Sequence, residues 1–555
     1  MHLLNSSSGA SKFMFYKILV CLISIIIVGC KSDVTSHRTT DNDDNGETNN
    51  EEEIEDFKCV AEEESYDYDI YVLAPNNVPI GDVMPYYDKT GDKYYVYYLK
   101  DLWDDSSNEL HPIYGFKTDN FYNYSELNAG EIVGSSDDTC DQDYAIGTGS
   151  FYEKDGKYYS FYTGHNPNHP SECTETKEGV MMATSHSLNE SFDKDNDFET
   201  VYAPSNKPFD HEDNFRDPFV YYDKELDKYA FIISSRKNYK GEWQGVIARF
   251  VSEDLMEWEY KDILYDGGDD NFFMMETPEL FKMGDTYYLL FSDTGTRHVY
   301  YRKSSSSGGP WQEPSDKERF SGVGIYAART ASDGNNRYIA GWTLIKEGHN
   351  DHGNPLWGGN LIAHEIYQKD NKDLAVKAPD EVLINMRENE YETEVFRKYG
   401  DGEDVDENES YRLKHDEEEF SSLIKNPVEK NRYKISASVN FSDSDKDFGF
   451  LFGACDENND FFSLRFVPDE NRVGFTKKLR QQIDENKDMY NDVPFEFESD
   501  RDYEINIVLE NSMLVVYIDD KIALSSRVYR ALGNHWGIYS DQSEVLFENL
   551  KVTYP

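Results

Sequence analysis

Asp82, Asp217 and Glu276 are the residues whose types and surroundings can do chemistry in this chain. Asp217 stands in Asn214-Phe215-Arg216-Asp217-Pro218, directly before the strand-like run Phe219-Val220-Tyr221-Tyr222. A guanidinium next to a carboxylate favours its charged form, so Asp217 is expected to stay ionised. Glu276 lies between Phe272-Phe273-Met274-Met275 and Thr277-Pro278. Apolar surroundings of that kind raise a carboxyl pKa and suit a general acid. Asp82 follows Gly81 in what reads as an open loop and is the candidate for an ionised nucleophile. Converging carboxylates without His or Cys mean either metal binding or acid–base work. Nothing like a calcium loop surrounds these three, so acid–base work is the better account and no metal or cofactor is called for. Cleaving a glycosidic bond takes one protonated and one ionised carboxyl across it, and a third acid can hold ring hydroxyls.

What must bring them together is a repeat. An aromatic strand recurs at Tyr94-Tyr95-Val96-Tyr97-Tyr98, Tyr158-Tyr159-Ser160-Phe161-Tyr162, Tyr229-Ala230-Phe231-Ile232-Ile233, Tyr287-Tyr288-Leu289-Leu290-Phe291 and Tyr338-Ile339-Ala340-Gly341-Trp342. A polar turn precedes each copy, and the copies stand roughly 50 to 70 residues apart, the period of propeller blades. Asp82, Asp217 and Glu276 each lie about a dozen residues upstream of their copy's first tyrosine, where the innermost strand of a blade would line the central channel. The same place holds Gly147-Thr148-Gly149-Ser150 in the second copy and Tyr326-Ala327-Ala328-Arg329 in the fifth. One pocket would therefore gather three acids, Thr148, Ser150, Arg216, Tyr326 and Arg329. Trp103 and Trp342 are further candidates to contact a sugar, and Trp357 is a rim candidate. Packing is the competing role for each tryptophan, and His111 and His298 read as structural.

Asp82, Arg216-Asp217-Pro218 and Glu276-Thr277-Pro278 together resemble the three acidic motifs of glycoside hydrolase family 32, which includes invertases, inulinases and levanases. Gly147-Thr148-Gly149-Ser150 is similar to that family's aromatic-Ser-Gly-Ser segment, and Gly341-Trp342 to a Gly-Trp in its fifth blade. The resemblance implies an all-β chain, a five-bladed β-propeller followed by a β-sandwich, acting on β-fructofuranosides with retention. It implies Asp82 as nucleophile, Asp217 as transition-state stabiliser and Glu276 as acid/base. Three departures touch sugar specificity. Gly81-Asp82-Val83-Met84-Pro85 stands where Asn-Asp-Pro-Asn is usual, Thr277 where a Cys is usual, and Gly147 where an aromatic is usual. They are also compatible with the arabinan- and xylan-active family 43, which inverts.

Composition agrees with a neutral ligand. The chain has 555 residues and a formal net charge of −53, from 55 basic and 108 acidic residues. Nucleic acid and anionic membrane surfaces need a basic footprint and are disfavoured as partners. Forty-two tyrosines and 32 phenylalanines favour β structure. Residues 1–30 read as a signal peptide whose Ile27-Val28-Gly29-Cys30 resembles a bacterial lipobox, with Cys30 the lipidated residue. A plain secretory signal is the alternative. Residues 31–66 are acidic and polar and read as a disordered tether. The chain would then meet the membrane only through its lipid anchor, at an outer membrane or cell surface. Cys59, Cys140, Cys173 and Cys455 remain in the mature body; Cys140 with Cys173 is the favoured pair, and four separate thiols are the alternative.

Residues 67–375 are assigned to the propeller and 376–555 to the sandwich, where runs such as Phe448-Gly449-Phe450-Leu451-Phe452 and Met513-Leu514-Val515-Val516-Tyr517-Ile518 alternate with turns. The sandwich is expected to clamp the propeller rather than to bind sugar on its own. The expected activity is cleavage of terminal β-fructofuranosyl units from fructans or sucrose-type sugars. An inverting arabinosidase- or xylosidase-like hydrolase and a non-catalytic surface glycan-binding lipoprotein are the alternatives.

Overall fold

The computed structural model describes residues 67–100, 110–315, 321–406, 409–414, 420–443, 446–454, 460–479 and 488–555. The expectations for the signal peptide, Cys30, the tether, Trp103, Cys59 and Cys455 fall outside these residues.

Each aromatic strand lies second in a blade, antiparallel to an inner strand on one side and an outer strand on the other. The inner strands of blades I to V are Ile80–Asp88, Ala145–Lys154, Arg216–Asp223, Met275–Met283 and Tyr326–Ser332. Their partners are Lys93–Lys100, Lys157–His165, Lys228–Tyr239, Thr286–Asp293 and Arg337–Lys346. Blade V continues through Pro355–Gln368 to Leu374–Lys377, and Ile80 pairs with Gly359 to link it to blade I.

The aromatic repeat exists because these rings fill the spaces between blades. Tyr97 stacks on Phe151 across blades I and II at a centroid distance of 3.8 Å. Tyr152 meets Tyr229 edge-on across blades II and III at 5.8 Å, and Tyr94 meets Tyr338 across blades I and V at 5.3 Å. Each such ring removes a large apolar area from water, about 2 kcal/mol for one full side chain.

Beyond the short helix Asp380–Asn385 the chain enters two stacked antiparallel sheets. Their inner faces meet in one core that includes Tyr411, Phe450, Phe466, Trp536 and Phe547. The sandwich docks on blades IV and V through Val508, Met513, Val515, Tyr517 and Ala523, which pack with Ile325, Ile339 and Ile362. Polar groups pin this junction. Buried Glu510 accepts hydrogen bonds from the amides of Asp69 (2.8 Å), Ile70 (3.1 Å) and Tyr71 (2.9 Å) and pairs with Arg432 at 3.2 Å. Arg527 donates to the Leu344 carbonyl at 2.8 Å and to Asn360 Oδ1.

Candidate active site

Every inner strand carries one extra residue against its neighbour at the same end. The pairing register shifts between Ile80 and Val83, Gly147 and Gly149, Arg216 and Phe219, Glu276 and Glu279, and Tyr326 and Arg329. A bulge bends the strand and re-aims its side chains. Asp217, Thr277 and Ala327 take left-handed backbone angles there, with φ of 69°, 47° and 49°. Such angles cost about 1–3 kcal/mol for a non-glycine residue, and most for a β-branched one. Pro218 and Pro278 follow two of these residues and have no N–H for the broken ladder to leave unpaired. Asp82 is therefore not in an open loop: it sits half-buried in the bulge of the first inner strand.

Both oxygens of Asp82 are held. Thr148 Oγ1 donates to Oδ2 at 2.6 Å and the Trp342 indole N–H to Oδ1 at 3.1 Å. Burial and the nearby Glu276 charge push the Asp82 pKa up, against those two donors. The Trp342 ring packs edge-on to Tyr326 at 5.3 Å and lies 6.0 Å from Trp357. Trp357 covers Gly81 so closely that a Cβ there would fall 1.9 Å from its ring, which accounts for the glycine beside the acid. His111 stacks on Trp357 at 4.5 Å.

Glu276 lies between two donors. Arg216 Nη2 is 2.5 Å from Oε1, and the Tyr326 hydroxyl donates to Oε2. The apolar surroundings expected from its sequence neighbours are not what it meets. Phe272 and Met275 turn into the packing between blades III and IV, and Phe273 faces solvent.

Asp217 is the buried member, 2 % exposed. Its amide donates to Thr163 Oγ1 at 2.9 Å, and its Oδ2 accepts from the Thr277 amide at 2.9 Å. The expectation that Asp217 simply stays charged is corrected. Burial, with Glu276 and Asp82 adding to it, pushes its pKa up to about 7 despite Arg216. Arg216 is shared: its Nη1 lies 3.3 Å from Glu178 Oε1. Burial would raise the Glu178 pKa, but Arg216, His165 and the Phe215 amide hold it down to about 2.

Two expected pocket residues turn elsewhere. Buried Arg329 donates to the backbone carbonyls of Gly149 and, at 2.9 Å, Asp217, so it ties inner strands together instead of meeting the acids' carboxylates. Ser150 Oγ accepts from the Val220 amide at 2.9 Å and links blades II and III. Thr148, Arg216, Tyr326 and Trp342 do converge on the three acids.

The sequence reading missed Thr163 and Glu178. Thr163 Oγ1 also donates to the Thr148 carbonyl at 2.9 Å, so one hydroxyl joins the supports of Asp82 and Asp217. Thr163 lies at the end of the aromatic strand of blade II and Glu178 on its outer strand, where no repeat offset marked them. Cys140 and Cys173 form a disulfide beside this blade.

Comparison with known proteins agrees with this architecture. Residues 84–379 match the model of the glycosyl hydrolases family 32 N-terminal domain, and residues 378–552 that of the GH32, BT1760-like, C-terminal domain. The first match includes Asp217 and Glu276 and opens just past Asp82. A sucrose-6-phosphate hydrolase of Staphylococcus xylosus is 27% identical over 201 residues, 36% of this chain and 37% of that protein. The aligned part thus spans little more than a third of that relative. The GH32 beta-fructofuranosidase BmSUC1 of Bombyx mori superposes with a TM-score of 0.62 at 16% identity, covering 89% of this chain and 95% of its own. The exo-inulinase of Aspergillus awamori does so with 0.62 at 13% identity, covering 88% and 99%. These likenesses establish a shared fold, a five-bladed propeller with a β-sandwich. With both of its domains matched, the chain belongs to glycosyl hydrolase family 32.

Proposed function

We propose that this protein is a retaining β-fructosidase that releases terminal β-fructofuranosyl units from fructans or sucrose-type sugars. The observation that carries this reading is the meeting of three carboxyls at one end of the propeller channel, each held differently. Asp82 has a donor on each oxygen, Glu276 is gripped by Arg216 and Tyr326, and Asp217 is buried behind them. The relatives, a sucrose-6-phosphate hydrolase, a beta-fructofuranosidase and an exo-inulinase, point to the same substrate class.

In this mechanism an Asp82 oxygen attacks the anomeric carbon while protonated Glu276 gives its proton to the departing glycosidic oxygen. The sugar is left as an ester of Asp82. Glu276, now ionised, takes a proton from water; the water oxygen bonds to the same carbon and Asp82 leaves as carboxylate. Thr148 and Trp342 orient the attacking carboxylate. Asp217 holds ring hydroxyls, and that contact strengthens as positive charge develops on the ring.

The test is incubation with sucrose, inulin and levan, with arabinan and xylan as controls, reading released sugar and the anomeric form of the first product by NMR. Fructose released first as the β-furanose is expected. Release with inversion would overturn the retaining step, and no release from any fructoside would overturn the activity. We further infer from Ile27-Val28-Gly29-Cys30 that the chain is exported and lipidated at Cys30. Mass spectrometry of the membrane-extracted protein should show an acylated Cys30, and an unmodified one would overturn that inference.

A further inference from the structure

The rim of the catalytic pocket carries aromatic rings that the reaction does not use. In blade III the strands Lys228–Tyr239 and Glu242–Ser252 form a hairpin that runs past the end of the inner strand, since Ser234 already pairs with Arg216. From Ser234 to Asn238, which pairs with Trp243, is about 13 Å at the usual strand rise. The hairpin thus projects outward at the end where the three acids lie, further than a single sugar ring would reach. Trp243 is 41 % exposed there, and Phe273, close upstream of Glu276, is 54 % exposed.

These rings are not loose. The Gly245 amide donates to the Phe272 carbonyl at 2.8 Å and the Ser234 hydroxyl to the Met275 carbonyl, so the hairpin is braced against the segment that carries Glu276. The Arg236 guanidinium centre lies 4.7 Å from the Phe273 ring and 5.5 Å from the Trp243 ring. Arg236 is held in turn by Asp210 at 2.6 Å; Asp210 accepts from Asn214 at 3.2 Å, and Asn214 Oδ1 accepts from Arg216 at 3.4 Å. A chain of polar contacts therefore runs from the acid pocket to the exposed rings. Arg236 is neutralised by Asp210, and the chain as a whole is strongly negative, so an anionic polymer is a poor occupant. Rigid aromatic faces beside a planar guanidinium suit the C–H faces and hydroxyls of a neutral saccharide.

We propose that Trp243 and Phe273, bridged by Arg236, form a stacking platform for sugar units of a fructan chain beyond the unit held at the three acids. The proposal rests on the fructosidase reading above and gives it a preference for chains over sucrose. Trp243→Ala and Phe273→Ala, each checked for an unchanged melting temperature, are assayed on sucrose and on inulin- and levan-type oligosaccharides. The expected result is a KM for one oligosaccharide series raised about tenfold, with its kcat little changed, so that the oligosaccharide-to-sucrose ratio of kcat/KM falls by the same factor. Trp243→Phe should restore most of it. Equal losses on sucrose and oligosaccharides, or no change on either, would overturn the platform. Tryptophan fluorescence of the Asp82→Asn protein, titrated with the same oligosaccharides, reads binding without turnover. A saturable change that disappears on adding Trp243→Phe supports the platform, and no saturable change overturns it. Failure of the wild type to release fructose from any substrate overturns the fructosidase reading instead, and the titration still decides the platform.

Discussion

Asp217 and Glu510 are both carboxylates buried deep in this protein, and they are buried in opposite ways. Glu510, at the junction of propeller and sandwich, meets three backbone amides and Arg432. Burial raises its pKa too, but every neighbour named opposes that rise. Asp217, at the mouth of the propeller, has one amide on its carboxylate, a left-handed backbone, and two further acids that add to the cost of its charge. The first arrangement spends buried charge on holding two domains in one orientation. The second keeps a carboxyl poised between its two protonation states, which is useful where charge develops during a reaction and costly otherwise.

The widest separation between the two regions is expected from Asp82→Asn. On the proposed mechanism it removes the attacking group while keeping the shape and the Thr148 contact. Turnover of sucrose or fructan should fall by about a thousandfold or more with the melting temperature nearly unchanged. Activity within tenfold of wild type would break the contrast. Glu510→Ala should do the reverse. It leaves three amides without their acceptor and Arg432 with Asp69 as its remaining carboxylate partner, so unfolding in urea should show a loss of about 3–5 kcal/mol while the remaining folded protein keeps its kcat. A stable variant with low kcat would mean that the junction shapes the active site directly.

Asp217→Asn sharpens the comparison through pH. A carboxyl with a folded pKa near 7 and an ordinary unfolded value binds more protons folded than unfolded between about pH 4 and 7. Its contribution is therefore present in acid and is lost as the pH rises through 7. Asparagine does not titrate, so at pH 8 the variant should be more stable than wild type by about 2–4 kcal/mol, and the gap should close below about pH 4. Activity should be lost at every pH. Melting curves that stay parallel from pH 4 to 8 would refute the burden assigned to Asp217.

Much of this was legible in the chain. The tyrosine strands marked the blades because inter-blade packing demands large rings at a fixed place in each copy. The acids could be aligned upstream of those strands because the innermost strand comes first in a blade. The bulges were not legible: one extra residue per inner strand leaves no mark in composition or period. That is why Asp82 read as a loop residue. It is also why Ser150 and Arg329, a few residues past the acids' repeat offset, were expected in the pocket and turn instead to neighbouring backbone. Glu276 misled for a related reason. Its apolar sequence neighbours pack between blades or face solvent, and its actual partners come from blades III and V.

The sequence by itself determined the strands, their grouping into blades and the identity of the three acids, because periodicity and residue type are local properties. The tertiary structure decided which side chain each acid meets, that Asp217 and not Glu276 is the deeply buried member, and that Trp243 and Phe273 stand together at the rim. Those outcomes depend on bulges and on strands far apart in the chain, and electrostatic environment is set by what converges in space.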